Sequence, residues 1–216
     1  MFKSFVISSL LLIAVPAAAQ TAPVIDNERV TVWDVKLPWG ITGPTTPHDL
    51  DAVIMFLDDG IVSTTHANGK VTEAMRKAGD AIFVPAGSDL KDTVTTNGGI
   101  HEVVVALKNH PVPPLKNTTG LPRAFPRAGS KKIFENKRVA VWNNTWTPGV
   151  PTPMHFHDTD VVVAMLYDGT NKSVTTDNTV TTTTSKAGDI RFNKRDRAHS
   201  EELMTERQTG IMVELK

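Results

Sequence analysis

The sequence has no cysteine, which excludes a disulfide framework, a thiolate zinc site and a cysteine nucleophile. It also has no excess charge of either sign, because 23 Lys and Arg side chains balance 23 Asp and Glu. This balance provides no broad basic face, so we expect no nucleic-acid partner. A glycine-rich phosphate loop is absent, and no spacing indicates a Ser-His-Asp triad. The seven histidines remain as the candidates for metal chemistry.

Long apolar runs are also missing, except for one short run at the N-terminus. Lys3 supplies a positive charge, Phe5–Val15 is apolar, and Ala17–Ala19 provide the small residues of a cleavage site. The run is too short to span a bilayer comfortably. The pattern predicts a bacterial signal peptide over residues 1–19 and a periplasmic or secreted protein without a membrane span. Loss of Lys3 would leave a net charge of about −1.

Sustained helical periodicity is absent as well, and the chain instead repeats itself. Three segments recur 109 residues later: RVTVW from Arg29 as RVAVW, HDLDAVIMFLDDG from His48 as HDTDVVVAMLYDG, and KAGDAIF from Lys77 as KAGDIRF. Near the end the offset shortens by one, where VVVALK from Val103 matches IMVELK from Ile211. Ungapped matches at one offset indicate a tandem duplication.

Both units have the pattern of short strands joined by tight turns. Val30 and Val32 alternate with polar neighbours, and the apolar run Val161–Leu166 is rich in β-formers. Asn68-Gly69 is a hairpin signal. The threonine-rich stretch Thr179–Ser185 suits a half-exposed strand better than a solvated loop, because strands flank it. The sequence therefore predicts an all-β fold with a sandwich or barrel in each unit.

The two units are predicted to be joined by a proline-rich connector. Five prolines fall between residues 109 and 130, which favours an extended segment crossing the surface. We predict an N-terminal unit over 20–108, a linker over 109–130 and a C-terminal unit over 131–216.

The segment PMHFHDTD carries the chemistry of the second unit. His155 and His157 are two residues apart, so on a strand both imidazoles point to one face. His199 follows the second repeated Gly-Asp turn and its strand, and is the candidate third ligand. Asp160 and Glu201 are close enough in sequence to supply a fourth. We predict one divalent metal ion per chain on His155, His157 and His199, with Fe, Mn, Ni or Zn all compatible with these donors.

In these motifs the second unit resembles a cupin. Gly149, five residues, His155-Phe156-His157 and then Gly169 follow the first cupin motif, and His199 stands at the histidine of the second. The resemblance is incomplete, because Val162 stands where the first motif has a glutamate.

The first unit has the complementary pattern. Its glycines and a proline follow the cupin framework, but Thr46 and Leu90 stand where His155 and His199 stand in the second unit. Only His48 matches a ligand position, and it either makes a local hydrogen bond or lines an empty pocket. The first unit is therefore predicted to bind no metal in this way.

The resemblance covers nearly all of the chain after the signal and implies a bicupin. The expected architecture is two tandem β jelly-roll barrels (double-stranded β-helix), with the metal motif kept only in the C-terminal unit. Without the motif glutamate, Asp160 either binds the metal through a bulge, holds a histidine tautomer or faces solvent. Glu201 is either a ligand or an exposed charge, and a three-histidine site with open positions is the remaining alternative.

Function follows from the resemblance and has two readings. One is an exported metal-dependent enzyme of dioxygenase, isomerase or lyase type that acts on a small oxygenated organic molecule. Asp160, Glu201 and Arg191 are its catalytic candidates, with Arg191 suited to clamp an anion. The other is a non-catalytic binding or structural cupin. The only partner expected is a small-molecule ligand, and a monomer and a homodimer are both compatible with the sequence.

Overall fold

The structure is a computed structural model that describes residues 22–43, 49–88 and 90–216. The described residues form strands, turns and loops and contain no helix. Nothing among them has the helical length and apolar character that a membrane crossing requires. The predicted signal peptide, Thr46 and His48 lie outside the described residues.

The N-terminal unit contains eight strands: β1 (Ile25–Asp26), β2 (Val30–Leu37), β3 (Asp51–Phe56), β4 (Gly60–His66), β5 (Val71–Arg76), β6 (Ala81–Val84), β7 (Leu90–Val94) and β8 (Ile100–Leu107). They form a five-stranded sheet in the order β1-β2-β8-β3-β6 and a three-stranded sheet in the order β5-β4-β7.

The C-terminal unit contains nine strands: β9 (Ser130–Glu135), β10 (Val139–Trp146), β11 (His155–His157), β12 (Val161–Met165), β13 (Gly169–Thr175), β14 (Val180–Ser185), β15 (Ile190–Asn193), β16 (Arg197–Leu203) and β17 (Gln208–Leu215). Their sheets have the orders β15-β12-β17-β10-β9 and β11-β16-β13-β14. All strand pairs in both units are antiparallel, so the prediction of an all-β fold with two jelly-roll units is confirmed.

The two five-stranded sheets pack against each other through a shared apolar core. Val53 and Met55 of β3 belong to this core together with their counterparts Val162 and Ala164 of β12. The intervening residues, such as Ile54, face the interior of their own unit. These strands are buried on both faces, which explains why their sequences are continuous apolar runs rather than alternating ones.

Two ion pairs related by the duplication join the units. Arg29 Nη1 lies 2.6 Å from Asp160 Oδ2, and Arg138 Nη1 lies 3.0 Å from Asp51 Oδ2. Arg138 is the repeat counterpart of Arg29, and Asp160 is that of Asp51. Each unit thus donates one arginine to the equivalent aspartate of the other, so the two units are packed with approximate twofold symmetry.

The proline-rich segment between β8 and β9 does more than cross the surface. Its backbone bonds to β11 in both directions, with Ala124 N donating to Phe156 O and Phe156 N donating to Pro122 O, each at 2.9 Å. Ala124 and Phe125 are buried in the C-terminal core, where Phe125 stacks on Trp142 at 5.4 Å between ring centroids. This anchoring carries the following residues to the interior of the C-terminal barrel.

Candidate metal centre

Strand pairing brings the three predicted histidine ligands together. β11 pairs with β16 so that His155 lies opposite His199. His157 shares the inward face of β11 with His155, because side chains two apart on a strand point the same way. Their ligand nitrogens all lie within 4.8 Å of one another. Nε2 of His157 is 3.1 Å from Nε2 of His199.

A hydrogen bond to a carbonyl fixes which nitrogen of His155 can bind a metal. Nδ1 of His155 lies 2.8 Å from the carbonyl oxygen of Pro153, which can only accept, so Nδ1 carries the hydrogen. Nδ1 of His199 lies 3.1 Å from the Ser173 hydroxyl. Nδ1 of His157 is buried without a partner among the described residues. The Nε2 lone pair of His155 therefore points into the cluster, as a metal site requires.

Burial keeps these imidazoles neutral. It lowers the pKa of His155 to about 4, and the charge of Arg127 adds to the effect. Burial and then Arg197 hold the pKa of His157 far below its usual range. The pKa of His199 is also lowered by burial, against the opposing charge of Glu201. Neutral imidazole is the form that binds a metal, so the cluster suits a divalent cation.

The arginine Arg127 at this site was missed by sequence reasoning. Its Nη1 lies 2.8 Å from Nε2 of His155, its Nη2 donates to Glu201 Oε2 at 3.0 Å, and its Nε donates to Asn144 Oδ1 at 3.2 Å. Its guanidinium also lies over the Trp146 ring. The position 109 residues earlier falls in the predicted signal peptide, so the repeat offered no signal that could have found it.

Of the predicted carboxylates, Glu201 lies beside the histidines. Its Oε1 is 4.0 Å from Nε2 of His199, and its Oε2 also accepts from Trp146 Nε1 at 3.2 Å. Burial acts to raise its pKa, but the positive charge of Arg127 prevails and lowers it. Glu201 is therefore ionised at neutral pH.

Asp160 is engaged elsewhere. Its Oδ2 accepts from Arg29 of the other unit, and its Oδ1 accepts from the backbone nitrogen of Arg195 in the same unit at 2.8 Å, so both oxygens already have partners. Val162, at the motif's glutamate position, also lies in the core between the units. Its neighbour Val161 belongs to the interior of the C-terminal barrel. A carboxylate at Val162 would thus not reach the histidines.

A cavity of about 710 Å³ adjoins the histidine cluster. His199, Glu201 and Trp146 contribute to its lining, together with Arg191 and the inward residues of β13 and β14. Arg191 is tied to the wall, because its Nη2 donates to the Ser185 hydroxyl at 2.7 Å. Through His199 the histidine cluster therefore borders a space large enough for a small organic ligand.

Comparison with known proteins identifies the fold. No protein-family model and no curated protein matches the chain. A cupin 2 conserved barrel domain protein from Leptotrichia buccalis matches with a TM-score of 0.60 and 14% identity, over 95% of this chain and 93% of that chain. Oxalate decarboxylase from Bacillus subtilis at pH 4.6 matches with a TM-score of 0.61 and 14% identity, over 88% of this chain and 68% of that chain.

A further oxalate decarboxylase structure from Bacillus subtilis, described by its Mn(II) centres, gives a TM-score of 0.59 at 14% identity, over 88% of this chain and 69% of that chain. These likenesses establish the fold. The chain has the cupin fold in two tandem barrels, and the histidine triad lies in the C-terminal one.

Proposed function

We propose that the protein is a metal-dependent cupin enzyme of dioxygenase, isomerase or lyase type that acts on a small oxygenated organic molecule. His155, His157 and His199 hold one divalent ion. The observation that carries this proposal is the convergence of three neutral imidazoles, within 4.8 Å of one another, beside a cavity of about 710 Å³. Manganese is the first metal to test among Fe, Mn, Ni and Zn, because a matched oxalate decarboxylase structure is described by its Mn(II) centres.

A divalent metal bound here would supply Lewis acidity toward a ligand oxygen or activate dioxygen or water. The protein's own contribution begins with the orientation of two imidazoles: the Pro153 carbonyl fixes the tautomer of His155, and the Ser173 hydroxyl bonds to Nδ1 of His199. Trp146 and Arg127 orient Glu201 through its Oε2.

Glu201 is the proposed general base. Its Oε1 makes no hydrogen bond to any described residue, so this oxygen is free to accept a proton from a ligand in the cavity. Asp160 is left out of this role because Arg29 and Arg195 occupy its oxygens.

One observation favours the second reading, a non-catalytic binding protein. The guanidinium of Arg127 already donates to Nε2 of His155, which gives this lone pair a partner without any metal. A cupin in this state would hold an organic ligand in the cavity while the histidines serve only as part of its wall.

Metal content decides between the two readings. Protein purified without a histidine tag is compared with a His155→Ala/His157→Ala double variant and with His66→Ala, whose imidazole lies on β4 beside Thr72. We expect about one metal per chain in the wild type and in the His66 variant, and none in the double variant, with circular dichroism showing that all three are folded. No metal in the wild type after loading with Fe, Mn, Ni and Zn would reject the enzyme proposal.

Export and a monomeric or homodimeric state are part of the same proposal. They rest on the N-terminal sequence and on the internal pairing of the two barrels. Fractionation of cells expressing the full chain, followed by N-terminal sequencing and light scattering, tests both. Uncleaved protein in the cytoplasm would reject export.

A further inference from the structure

The cavity has a hydroxyl-bearing wall that the metal proposal does not use. On β14 the alternate residues Thr181, Thr183 and Ser185 line the cavity, as strand geometry requires. The hydroxyls of Thr181 and Thr183 make no hydrogen bond to another described residue, whereas Ser185 holds Arg191. Thr181 is exposed and Thr183 is half-buried, so both hydroxyls are accessible to a ligand that enters the cavity.

A free cation lies on the same cavity. Arg197 is fixed through its Nε, which donates to the carbonyl oxygen of Lys194 at 2.7 Å. Its two terminal nitrogens make no hydrogen bond or ion pair within the part of the chain that the structure describes. Arg191 differs, because it bonds to Ser185 and lies 3.6 Å from Asp189 Oδ2. Arg197 therefore presents an open two-pronged donor of the kind that binds a carboxylate.

Further residues of the lining add an amide and an apolar surface, while Asp177 and Asp196 add carboxylates. Asn193 lines the cavity, and its side-chain amide has no partner among the described residues. Val163, Met165 and Met212 supply an apolar surface. A ligand that suits all of these groups has a carboxylate, several hydroxyls and a short carbon chain.

The N-terminal barrel shows that the fold does not demand this polar set. The positions that correspond to Thr183, Ser185 and Arg197 there are Ala74, Arg76 and Ser88. The hydroxyl of Thr181 is kept in the N-terminal unit as Thr72, whereas the Thr183 hydroxyl and the free guanidinium of Arg197 accompany the histidine cluster. This difference ties the latter two groups to the ligand of that site.

We propose that the cavity binds a small polyhydroxylated carboxylic acid, with its carboxylate on Arg197 and its hydroxyls on Thr181, Thr183 and Asn193. The binding site is inferred from the cavity alone. Its identification as the substrate site rests on the proposed function, since the same cavity borders His199 and Glu201. The cavity of about 710 Å³ has room for an acid of up to about six carbons.

Four small molecules test whether the ligand needs a carboxylate, hydroxyls or both. Gluconate and glycerate carry both a carboxylate and hydroxyls, hexanoate has only the carboxylate, and sorbitol has only the hydroxyls. Isothermal titration of the manganese-loaded and the metal-free protein measures each affinity. We expect at least one of the two hydroxy acids to bind, and hexanoate and sorbitol to bind about tenfold more weakly or worse.

Variants assign the contacts. Arg197→Gln should weaken binding of the hydroxy acid about tenfold or more, and Arg197→Lys should weaken it less, since it keeps the charge and loses the fork. Thr183→Val should weaken hydroxy-acid binding several-fold without changing hexanoate. The matched control is Arg207→Gln, because Arg207 stacks on Tyr167 outside the cavity lining.

The outcomes distinguish this inference from the proposed function. Failure of both hydroxy acids to bind, sorbitol or hexanoate binding equally well, or wild-type affinity in Arg197→Gln would each overturn the inference. Metal content is measured on every sample. Metal without hydroxy-acid binding overturns the inference and leaves the enzyme proposal, whereas Arg197-dependent binding without metal supports the inference and rejects the enzyme.

Discussion

In the N-terminal barrel Leu90 and Asp92 line a cavity of about 20 Å³, whereas at the matching positions of the C-terminal barrel His199 and Glu201 line one of about 710 Å³. The smaller space holds about one water molecule. Both barrels have the same strand order around these positions. A few substitutions on the inward face of the strands therefore separate a filled interior from a candidate metal centre.

Some features outside the barrel interiors are the same in the two units. Lys77 lies 2.8 Å from Asp59, and its counterpart Lys186 lies 2.8 Å from Asp168. The apolar core between the units is also built from matching positions. This contrast indicates that the N-terminal unit contributes mainly the second half of the shared core, while the ligand chemistry lies in the C-terminal unit.

The largest expected effect on the free energy of unfolding comes from shortening a leucine of either unit in the shared core. Leu57 and Leu166 are counterparts in the duplication, and both are buried in this core. Leu57→Ala and Leu166→Ala should each lower the free energy of unfolding by about 2–5 kcal/mol. Because both units depend on the same core, urea denaturation should show one transition that shifts in both variants. The exposed Met75→Ala is the control. Two transitions, with only one shifted by each variant, would show that the units are independent.

Glu102 and Glu214 are both buried and give the next comparison, because among the described residues Glu214 has hydrogen-bond partners and Glu102 has none. Glu102 lies in the N-terminal interior, and its buried Oε1 has no partner among the described residues. Burial, with a further contribution from Asp92 and against the charge of Arg76, raises its pKa from 4.5 to about 8. The folded state therefore keeps a proton that the unfolded state loses, so stability falls as pH rises from about 4.5 to about 8.

Glu102→Gln should remove this fall and stabilise the protein at pH 8 or above by at most about 5 kcal/mol. Glu214→Gln should act in the opposite direction. Glu214 Oε2 accepts from Trp142 Nε1 at 2.6 Å and its Oε1 from the Thr159 hydroxyl at 3.2 Å, and an amide can serve only one of these donors. We expect a loss of about 1–3 kcal/mol. Urea denaturation at several pH values measures both variants, and equal pH dependence in Glu102→Gln and wild type would contradict the role of Glu102.

Arg127 is a feature of the C-terminal barrel without a counterpart in the N-terminal unit, and its removal should change metal affinity. Its Nη1 occupies Nε2 of His155, and its charge neutralises Glu201. Both effects oppose a bound cation, so Arg127→Gln should tighten manganese or zinc binding about tenfold. Chelator competition measures the affinity. Arg123→Gln, which breaks the 2.7 Å pair with Asp158, is the control. Weaker binding in Arg127→Gln would show that the arginine supports the histidines instead.

The sequence was sufficient to predict the features that depend on the period-two alternation of strands and on the internal duplication. Alternation and turn residues predicted the strands, and the spacing of His155 and His157 predicted a shared face that strand pairing with His199 completes. Other features depend on how distant segments pack. Arg29 meets Asp160 across 131 residues, and Arg127 reaches His155 from a segment that has no repeat. Neighbouring residues on a strand face opposite sides, so a shift of one residue changes the face on which a side chain lies. Motif spacing alone did not show that Val162 faces the core between the units and that Val161 faces the barrel interior.

The smallest expected effect concerns one turn that the two barrels build with different residues. Asp196 has φ 65° at the position where the N-terminal unit has Gly87 with φ 79°. A side chain in this left-handed region is strained, and an added Cβ at Gly87 would meet no atom within 4 Å, so strain is its only cost. Gly87→Ala should therefore destabilise the protein by about 1 kcal/mol, and Asp196→Gly should stabilise it by about 0.5 kcal/mol, since the flexibility of glycine in the unfolded chain offsets part of the gain. Urea denaturation should resolve opposite signs. A loss of stability in Asp196→Gly would mean that contacts of the aspartate side chain stabilise the folded protein by more than its backbone strain costs.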